Sequence, residues 1–374
     1  MRILQLCTDF RPGGIQRHVL DLTDYLRGRG HQVTLAGDDG DWSGATHDPD
    51  HLHLPFNAMA AAGGQSILRR TAAIPGIARR IRRLLHERRI ELIHAHETAP
   101  AMAAGLARLG TGIPLVMTFH GSAPSREAGV ARTGRRFADL VVSPSRTSLD
   151  ALIARGLPRR MTRVIGLGIA PVPPVDAAEA AALRTALLAG RRGPLIFSLS
   201  RLDHQKGIDI MIDVARTIVA RYPEAVFAVA GGGPLRHAVD GWAQAAGVGD
   251  RFRFLGPIST VAQHLAAADL FLLTSRWENL PISIVEAFRA GLPVIATDCG
   301  GVKELVDDSV GQLCAVGDVA GLARAITALI DDPLLRARKG AAARARSGEA
   351  RFDPDAVHAE FERMYRDLSG RRHG

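Results

Sequence analysis

The chain has 374 residues, 47% hydrophobic and 23% charged, which excludes global disorder and is long enough for two domains of ordinary size. The net charge of +9 lies entirely in one half: residues 1–168 hold 23 arginines against 14 acidic side chains, and the remainder carries 24 of each sign. Three scattered cysteines, Cys7, Cys299 and Cys314, exclude a disulfide framework and show no metal-ligand spacing. Ile3–Cys7 reads as a short buried strand. Asp9 and Arg11 interrupt it, so it lacks signal-peptide form, and no apolar window is long enough for a membrane span. A cytoplasmic compartment is therefore expected.

Pro12-Gly13-Gly14 follows as a loop, and Ile15, Val19, Leu22 and Leu26 recur at helical spacing until Gly28 and Gly30. Strands are expected at Val33–Ala36, Leu92–Ala95, Leu115–Phe119 and Leu140–Val142, with helices before His94 and before Leu140. This βα repetition predicts a parallel sheet covered by helices. Between Gly166 and Gly193 the pattern weakens: Pro171, Pro173 and Pro174 form a stiff linker, and an alanine-rich helix runs from Ala177 to Leu188. A second series has strands at Leu195–Leu199, Val226–Ala230, Phe252–Leu255, Leu270–Leu273 and Val294–Ala296. A last helix, Val357–Leu368, carries Phe361, Met364 and Leu368. The expected division is 1–168, a linker and lead-in helix at 169–192, 193–355, and a helix at 356–374 packing back near the first domain. Two α/β domains of this kind predict a ligand cleft at their carboxyl strand ends.

The polar residues at those strand ends carry the chemistry. Gly13 and Gly14 precede a helix, where free backbone N–H groups hold a phosphate or carboxylate, although a tight turn needs glycine there too. The nicotinamide fingerprint G-x-G-x-x-G is incomplete. Arg201 and Lys206-Gly207 follow the first strand of the second half, two cations suited to a diphosphate or to a plain charged surface. They do not form the G-x-x-x-x-G-K-[ST] of ATP-splitting enzymes. Gly231-Gly232-Gly233-Pro234 permits close ligand approach or a simple turn. The densest polar group is Ser275–Pro281, continuing to Glu286. Pro281 suits a first helical turn, which puts Glu278 just before the helix and Glu286 about one turn inside it. Carboxylates there accept hydrogen bonds from paired sugar or ribose hydroxyls, while ordinary capping is the plainer reading. Asp298–Glu304 is a further strand-end loop. His120-Gly121 ends a strand of the first half, where an imidazole can donate to a phosphate or hydroxyl. His94 reads as structural, and His96, at its strand terminus, as closer to the chemistry. Asp38-Asp39 and Asp307-Asp308 form no coherent metal-ligand set.

Together these residues resemble the retaining, nucleotide-sugar-dependent glycosyltransferases of family 4. The matching elements are Pro12-Gly13-Gly14, His94-Ala95-His96, Thr118–Gly121, Arg201 with Lys206-Gly207, Gly231–Pro234, Glu278–Pro281 through Glu286, and Asp298, Gly300-Gly301 and Glu304. The resemblance implies the GT-B fold, two Rossmann-like domains facing across a deep cleft. It implies that Arg201 and Lys206 grip the donor diphosphate, Glu286 holds the ribose and Glu278 the donor sugar. The amides around Asn279, Leu280 and Pro281 would help hold phosphate and sugar. Gly14 would lie close to the diphosphate, and His120 near the transferring centre. It also implies front-face transfer with retention, without a required cofactor or metal. Where the family often has Asn-Gly near the domain junction, this chain reads Gly166-Leu167-Gly168-Ile169, which puts a contact there in doubt. The expected reaction moves a hexose or N-acetylhexosamine from a UDP-sugar, with GDP-mannose second, to a hydroxyl of a small molecule or lipid-linked glycan. A sugar-nucleotide hydrolase or epimerase is the alternative, and a non-enzymatic binder a third reading.

The positive charge is densest between Arg69 and Arg89, with eight arginines against Glu87 alone. Arg79, Arg80, Arg82 and Arg83 alternate with Ile77, Ile81, Leu84 and Leu85, an amphipathic helix. Its basic face is either simply solvated or a contact for anionic lipid at the inner face of the membrane. Nucleic acid is not expected, because aromatics make up only 5% of the chain.

Overall fold

The structure is a computed structural model that describes residues 1–11, 13–40, 51–56, 73–171 and 174–370. Pro12, Arg69, Arg70 and Pro173, which the sequence reading singles out, lie outside the described residues. Two compact units emerge: Met1–Ile169 together with Asp353–Gly374, and Ala170–Phe352.

The first unit is a seven-stranded parallel sheet in the order β3-β2-β1-β4-β5-β6-β7. The strands are β1 (Arg2–Asp9), β2 (Gln32–Asp38), β3 (Leu52–His53), β4 (Leu92–His96), β5 (Leu115–Thr118), β6 (Leu140–Ser143) and β7 (Thr162–Val164). Helices α1 (Gly14–Gly28), α2 (Ile74–Glu87), α3 (Thr98–Ala107), α4 (Glu127–Phe137) and α5 (Arg146–Ala154) connect them. Side chains alternate across each strand, and both faces are covered, so both must be apolar. Leu4 and Leu6 of β1 pack with Ile77, Ile81, Ala101 and Ala104 of α2 and α3. Ile3 points to the other face, among Leu22 and Leu26 of α1.

That second face is completed by the final helix, here called α13 (Pro354–Gly370), which adds Val357, Phe361, Met364 and Tyr365 to the cluster. It begins three residues earlier than its apolar spacing predicts. Asp353 caps it by accepting the Ala356 N–H at 2.7 Å, and Pro354 has no N–H to leave unsatisfied. Gly168 is explained here as well. A Cβ on it would lie 2.8 Å from Pro354 Cα and 3.2 Å from His358 Nε2, so glycine is required by the approach of α13.

The second unit is a six-stranded parallel sheet in the order β10-β9-β8-β11-β12-β13. Its strands are β8 (Leu195–Leu199), β9 (Val226–Ala230), β10 (Phe252–Gly256), β11 (Leu270–Leu273), β12 (Val294–Thr297) and β13 (Gly311–Cys314). The helices are α6 (Ala177–Leu188), α7 (Ile208–Arg221), α8 (Arg236–Ala245), α9 (Val261–Ala267), α10 (Ile282–Arg289), α11 (Val319–Asp331) and α12 (Pro333–Arg346). Each sheet runs outward in both directions from its first strand, the doubly wound order. The strand order reverses between β1 and β4 in one sheet and between β8 and β11 in the other. Ligands of such sheets bind at that reversal, beyond the carboxyl strand ends.

Among the described residues, no helix is long and apolar enough to cross a membrane.

Candidate functional site

In the second unit the loops after β8 and β11 meet at the reversal point. The loop after β8 carries Arg201 and Lys206. Arg201 is exposed, its guanidinium 3.0 Å from Asp203 and 3.2 Å from Gln205 Oε1. Gln205 Nε2 donates to the Trp277 carbonyl at 3.0 Å, and the Arg276 N–H donates to the Gln205 carbonyl at 2.7 Å. Arg276 also bridges to Asp209 at 2.5 Å, and its hydrogen bond, with its charge, holds the Asp209 carboxyl below its ordinary range. The two loops are thus sewn together before any ligand arrives.

Lys206 then reaches Glu278. Its Nζ lies 2.5 Å from Glu278 Oε1, and Ser275 Oγ donates to the same oxygen at 2.6 Å. Both charged side chains are largely withdrawn from solvent, 14% and 6% exposed. Two glycines make this geometry possible. Gly207 has φ +63°, and a Cβ there would lie 2.2 Å from the Thr274 carbonyl. Gly300 has φ +54°, and a Cβ would sit 1.9 Å from the carbonyl oxygen of Glu278 itself. Asn279 and Leu280 are buried, and the Asn279 carbonyl accepts the Gly301 N–H at 2.9 Å.

Pro281 is the N-cap of α10 rather than its first helical residue, so Glu286 is the fifth residue of the helix. The first turn of α10 holds no acidic residue, leaving its positive end available to an anion. Burial pushes the Glu286 carboxyl above the ordinary range, and the nearby charge of Arg289 opposes that only in part. Gly232 has no positive φ, and its carbonyl accepts the Leu202 N–H at 2.8 Å, which ties this turn to the loop that carries Arg201. Gly231 and Gly233, with φ +134° and +156°, are the conformationally constrained members of that run.

In the first unit the reversal point gathers the loop after β1 and the ends of β4 and β5. Gly13 caps α1, and Gly14 opens the helix in an exposed position, with no acidic residue in the first turn. His96 ends β4, and half-buried His120 follows β5; His96 Nδ1 and His120 Nε2 are 3.1 Å apart. His96 Nε2 also meets Gln5 Oε1 at 2.9 Å. His94 is buried between Thr118 Oγ1 and the Tyr365 hydroxyl, both at 2.6 Å. Buried His18 of α1 stacks edge-on near His96 and His120, with ring centroids 5.9 and 6.1 Å away. Burial lowers every one of these imidazoles: His120 to about 4, His94 to about 3, and His18 and His96 well below the ordinary value. Burial thus favours the neutral form of all four.

The structure therefore brings Arg201, Lys206, Glu278, Asn279, Leu280, Pro281 and Glu286 to one strand-end site, and Gly13, Gly14 and His120 to the corresponding end of the other sheet. Sequence reasoning passed over Gln205, Gln5, Tyr365 and His18. For Gln5 the signal was present: a glutamine inside an apolar strand is costly to bury unless paired.

Two parallel-sheet Rossmann-like units with this strand order define the glycosyltransferase fold class GT-B. The chain belongs to glycosyltransferase family 4: residues 12–171 match the family description Glycosyltransferase Family 4, and residues 181–346 match Glycosyl transferases group 1. It is 30% identical to the GDP-mannose-dependent alpha-(1-6)-phosphatidylinositol monomannoside mannosyltransferase of Mycobacterium tuberculosis, over 92% of each chain. It is 28% identical to the phosphatidyl-myo-inositol mannosyltransferase of Mycolicibacterium smegmatis, over 96% of this chain and 91% of that protein. Anabaena Alr3699/HepE in complex with UDP and glucose superposes with a TM-score of 0.82 at 25% identity, covering 97% of this chain and 99% of the other. The protein is a glycosyltransferase.

Proposed function

We propose that the protein transfers a hexose from a nucleotide-diphosphate sugar to a hydroxyl of a small-molecule or lipid-linked glycan, with retention at the anomeric carbon. The observation that carries this reading is the Lys206–Glu278–Ser275 cluster beside the open N-terminus of α10. It offers a cation and a helix end for phosphate, and a carboxylate for sugar hydroxyls. Arg201 and Lys206 neutralise the diphosphate, Glu286 accepts from the ribose hydroxyls, and Glu278 from the donor sugar. In the transfer the bond from C1 to the β-phosphate oxygen breaks while the acceptor oxygen bonds to C1 on the same face. The departing phosphate oxygen takes the acceptor proton. Catalysis then rests on alignment and on stabilising leaving-group charge. Arg201 and Lys206 supply the positive charge, and we assign no metal; turnover in excess chelator is the check.

The sequence reading favoured a UDP-sugar. The name of the Mycobacterium tuberculosis relative moves GDP-mannose to first place, and the complex of the Anabaena protein with UDP and glucose keeps the UDP-sugar as second. The relatives named for phosphatidyl-inositol acceptors also favour a lipid-linked acceptor. We place the reaction in the cytoplasm, with the basic face of α2 touching anionic lipid. The test is a donor screen read by mass spectrometry against several acceptor classes. Product formed only with donor and acceptor together supports transfer. Donor turnover independent of an acceptor means hydrolysis or epimerisation, and binding without product means a non-enzymatic role.

A further inference from the structure

The first unit contains a continuous file of side-chain hydrogen bonds that starts at His120, passes through Tyr365 of the C-terminal helix and ends at Thr118 of β5. His120 meets His96, His96 meets Gln5, Gln5 meets Tyr365, Tyr365 meets His94, and His94 meets Thr118. Gln5 sits at the middle of β1, fully buried, on the face that α13 covers. Tyr365 is fully buried as well. Gln5 lies eight positions before Gly13, Tyr365 is far in sequence from every residue of the candidate site, and neither role follows from the family match.

Gln5 gives the file a direction, because an amide has one donating end and one accepting end. Its Oε1 lies 2.9 Å from His96 Nε2, and its Nε2 lies 3.4 Å from the Tyr365 oxygen. The amide N–H donates to the Tyr365 oxygen across this long, weak contact, which leaves Oε1 to face His96. Burial favours the neutral form of each imidazole, which then has a single N–H to place. His96 therefore donates from Nε2 to Gln5, which leaves its Nδ1 as an acceptor. His120 must then donate from Nε2 to His96. On the other side, Tyr365 accepts from Gln5 and donates to His94 Nδ1, so His94 donates from Nε2 to Thr118.

We propose that Gln5, held by Tyr365, is a positioning residue that locks His120 in its Nε2–H tautomer and leaves the Nδ1 lone pair for the substrate. This rests on the reading of His120 as a residue near the transferring centre. It departs from the expectation of a donor to phosphate or hydroxyl: His120 meets the substrate as an acceptor of a hydroxyl hydrogen bond. The tautomer is set from α13, through an interaction within the first unit.

The experiment uses the full chain labelled with 15N-histidine. Long-range proton–nitrogen correlation assigns the protonated nitrogen of His120, with His120→Gln identifying its signal. The expected result is Nε2–H in the wild type. Gln5→Glu puts an acceptor-only group in the file, draws a proton onto His96, and is expected to move the His120 proton to Nδ1. Tyr365→Phe keeps the ring and removes the hydroxyl that holds Gln5. It is expected to lower kcat about tenfold, one hydrogen bond's worth, with donor KM within twofold and nucleotide-diphosphate affinity unchanged. Wild-type His120 protonated on Nδ1 overturns the proposal. So does a tautomer unmoved in Gln5→Glu, or a Tyr365→Phe variant whose kcat equals wild type. If either variant fails to fold, the wild-type spectrum still decides. If no transfer is found with any donor, the functional reading fails while the tautomer measurement stands on its own.

Discussion

At the scale of single residues, the candidate donor site is a set of charges held in advance. Lys206 and Glu278 neutralise each other at 2.5 Å, largely out of water. Removing either charge strands the other, which makes such pairs sensitive to single changes. Glu278→Gln keeps the shape and loses the charge. It is expected to cut transfer by roughly 100-fold, the scale of a lost transition-state contact, while nucleotide-diphosphate affinity changes far less. Equal loss of both in titration calorimetry and turnover would remove Glu278 from the sugar. Lys206→Ala is expected to weaken nucleotide-diphosphate binding about 10- to 100-fold, the value of a charge-assisted bond, and unchanged affinity would take Lys206 out of the site. Glu286 adds a pH dependence. Burial raises its pKa, so its protonation begins above the ordinary carboxylate range. A protonated carboxyl accepts from fewer ribose hydroxyls. Donor KM is therefore expected to rise as pH falls toward 5, and Glu286→Gln to flatten that rise. A wild-type profile already flat there would contradict the ribose role.

At the scale of elements, α13 belongs to the first unit although 183 residues of chain, Ala170–Phe352, intervene. Phe361 is 1% exposed among Ile3, Leu92 and Val116, so Phe361→Ala is expected to cost about 3–5 kcal/mol in chemical denaturation of that unit. Polar contacts fix the register of the helix. Burial alone would raise the Glu362 carboxyl, but the hydrogen bond from His31 and the charges of Arg366 and Arg29 outweigh it and hold the pKa below 4.5. That contribution is present above the unfolded pKa and fades as pH falls through the lower folded value. These elements also mark what a sequence can tell. The central strands were legible because they are apolar on both faces. The edge strands β3, β7 and β13 were not: β3 is two residues long, β7 is only half-buried, and β13 opens on Gly311. The Ser275–Glu286 cluster was legible as a dense polar run at a strand end. Gln5 and Tyr365 were not, because 360 positions of sequence separate two side chains that meet.

At the scale of the molecule, charge follows the units once α13 is assigned. Residues 1–169 with 353–374 carry 27 basic and 19 acidic side chains, against 20 and 19 in residues 170–352. The excess is concentrated on α2, where Ile74, Ile77, Ile81, Leu84 and Leu85 are buried while Arg79, Arg80, Arg82 and Arg83 are exposed. Arg82 is not spare charge, since its guanidinium donates to the carbonyls of Ala107 and Leu109 at 3.0 and 2.8 Å and closes the end of α3. The surface electrostatics therefore rest on Arg79, Arg80 and Arg83, which can be changed without touching the core. Each basic residue near an anionic bilayer contributes about 1 kcal/mol, screened within roughly 8 Å at physiological salt. Replacing all three with Glu is expected to reduce sedimentation with vesicles rich in phosphatidylglycerol by at least ~100-fold in partition coefficient, with no change on neutral phosphatidylcholine. Turnover of a water-soluble acceptor analogue should be unaffected, because none of the three belongs to the candidate site. Wild-type protein that ignores vesicle charge, or binding that survives the triple replacement, would leave α2 as a solvated face and require the lipid acceptor to be reached by another surface.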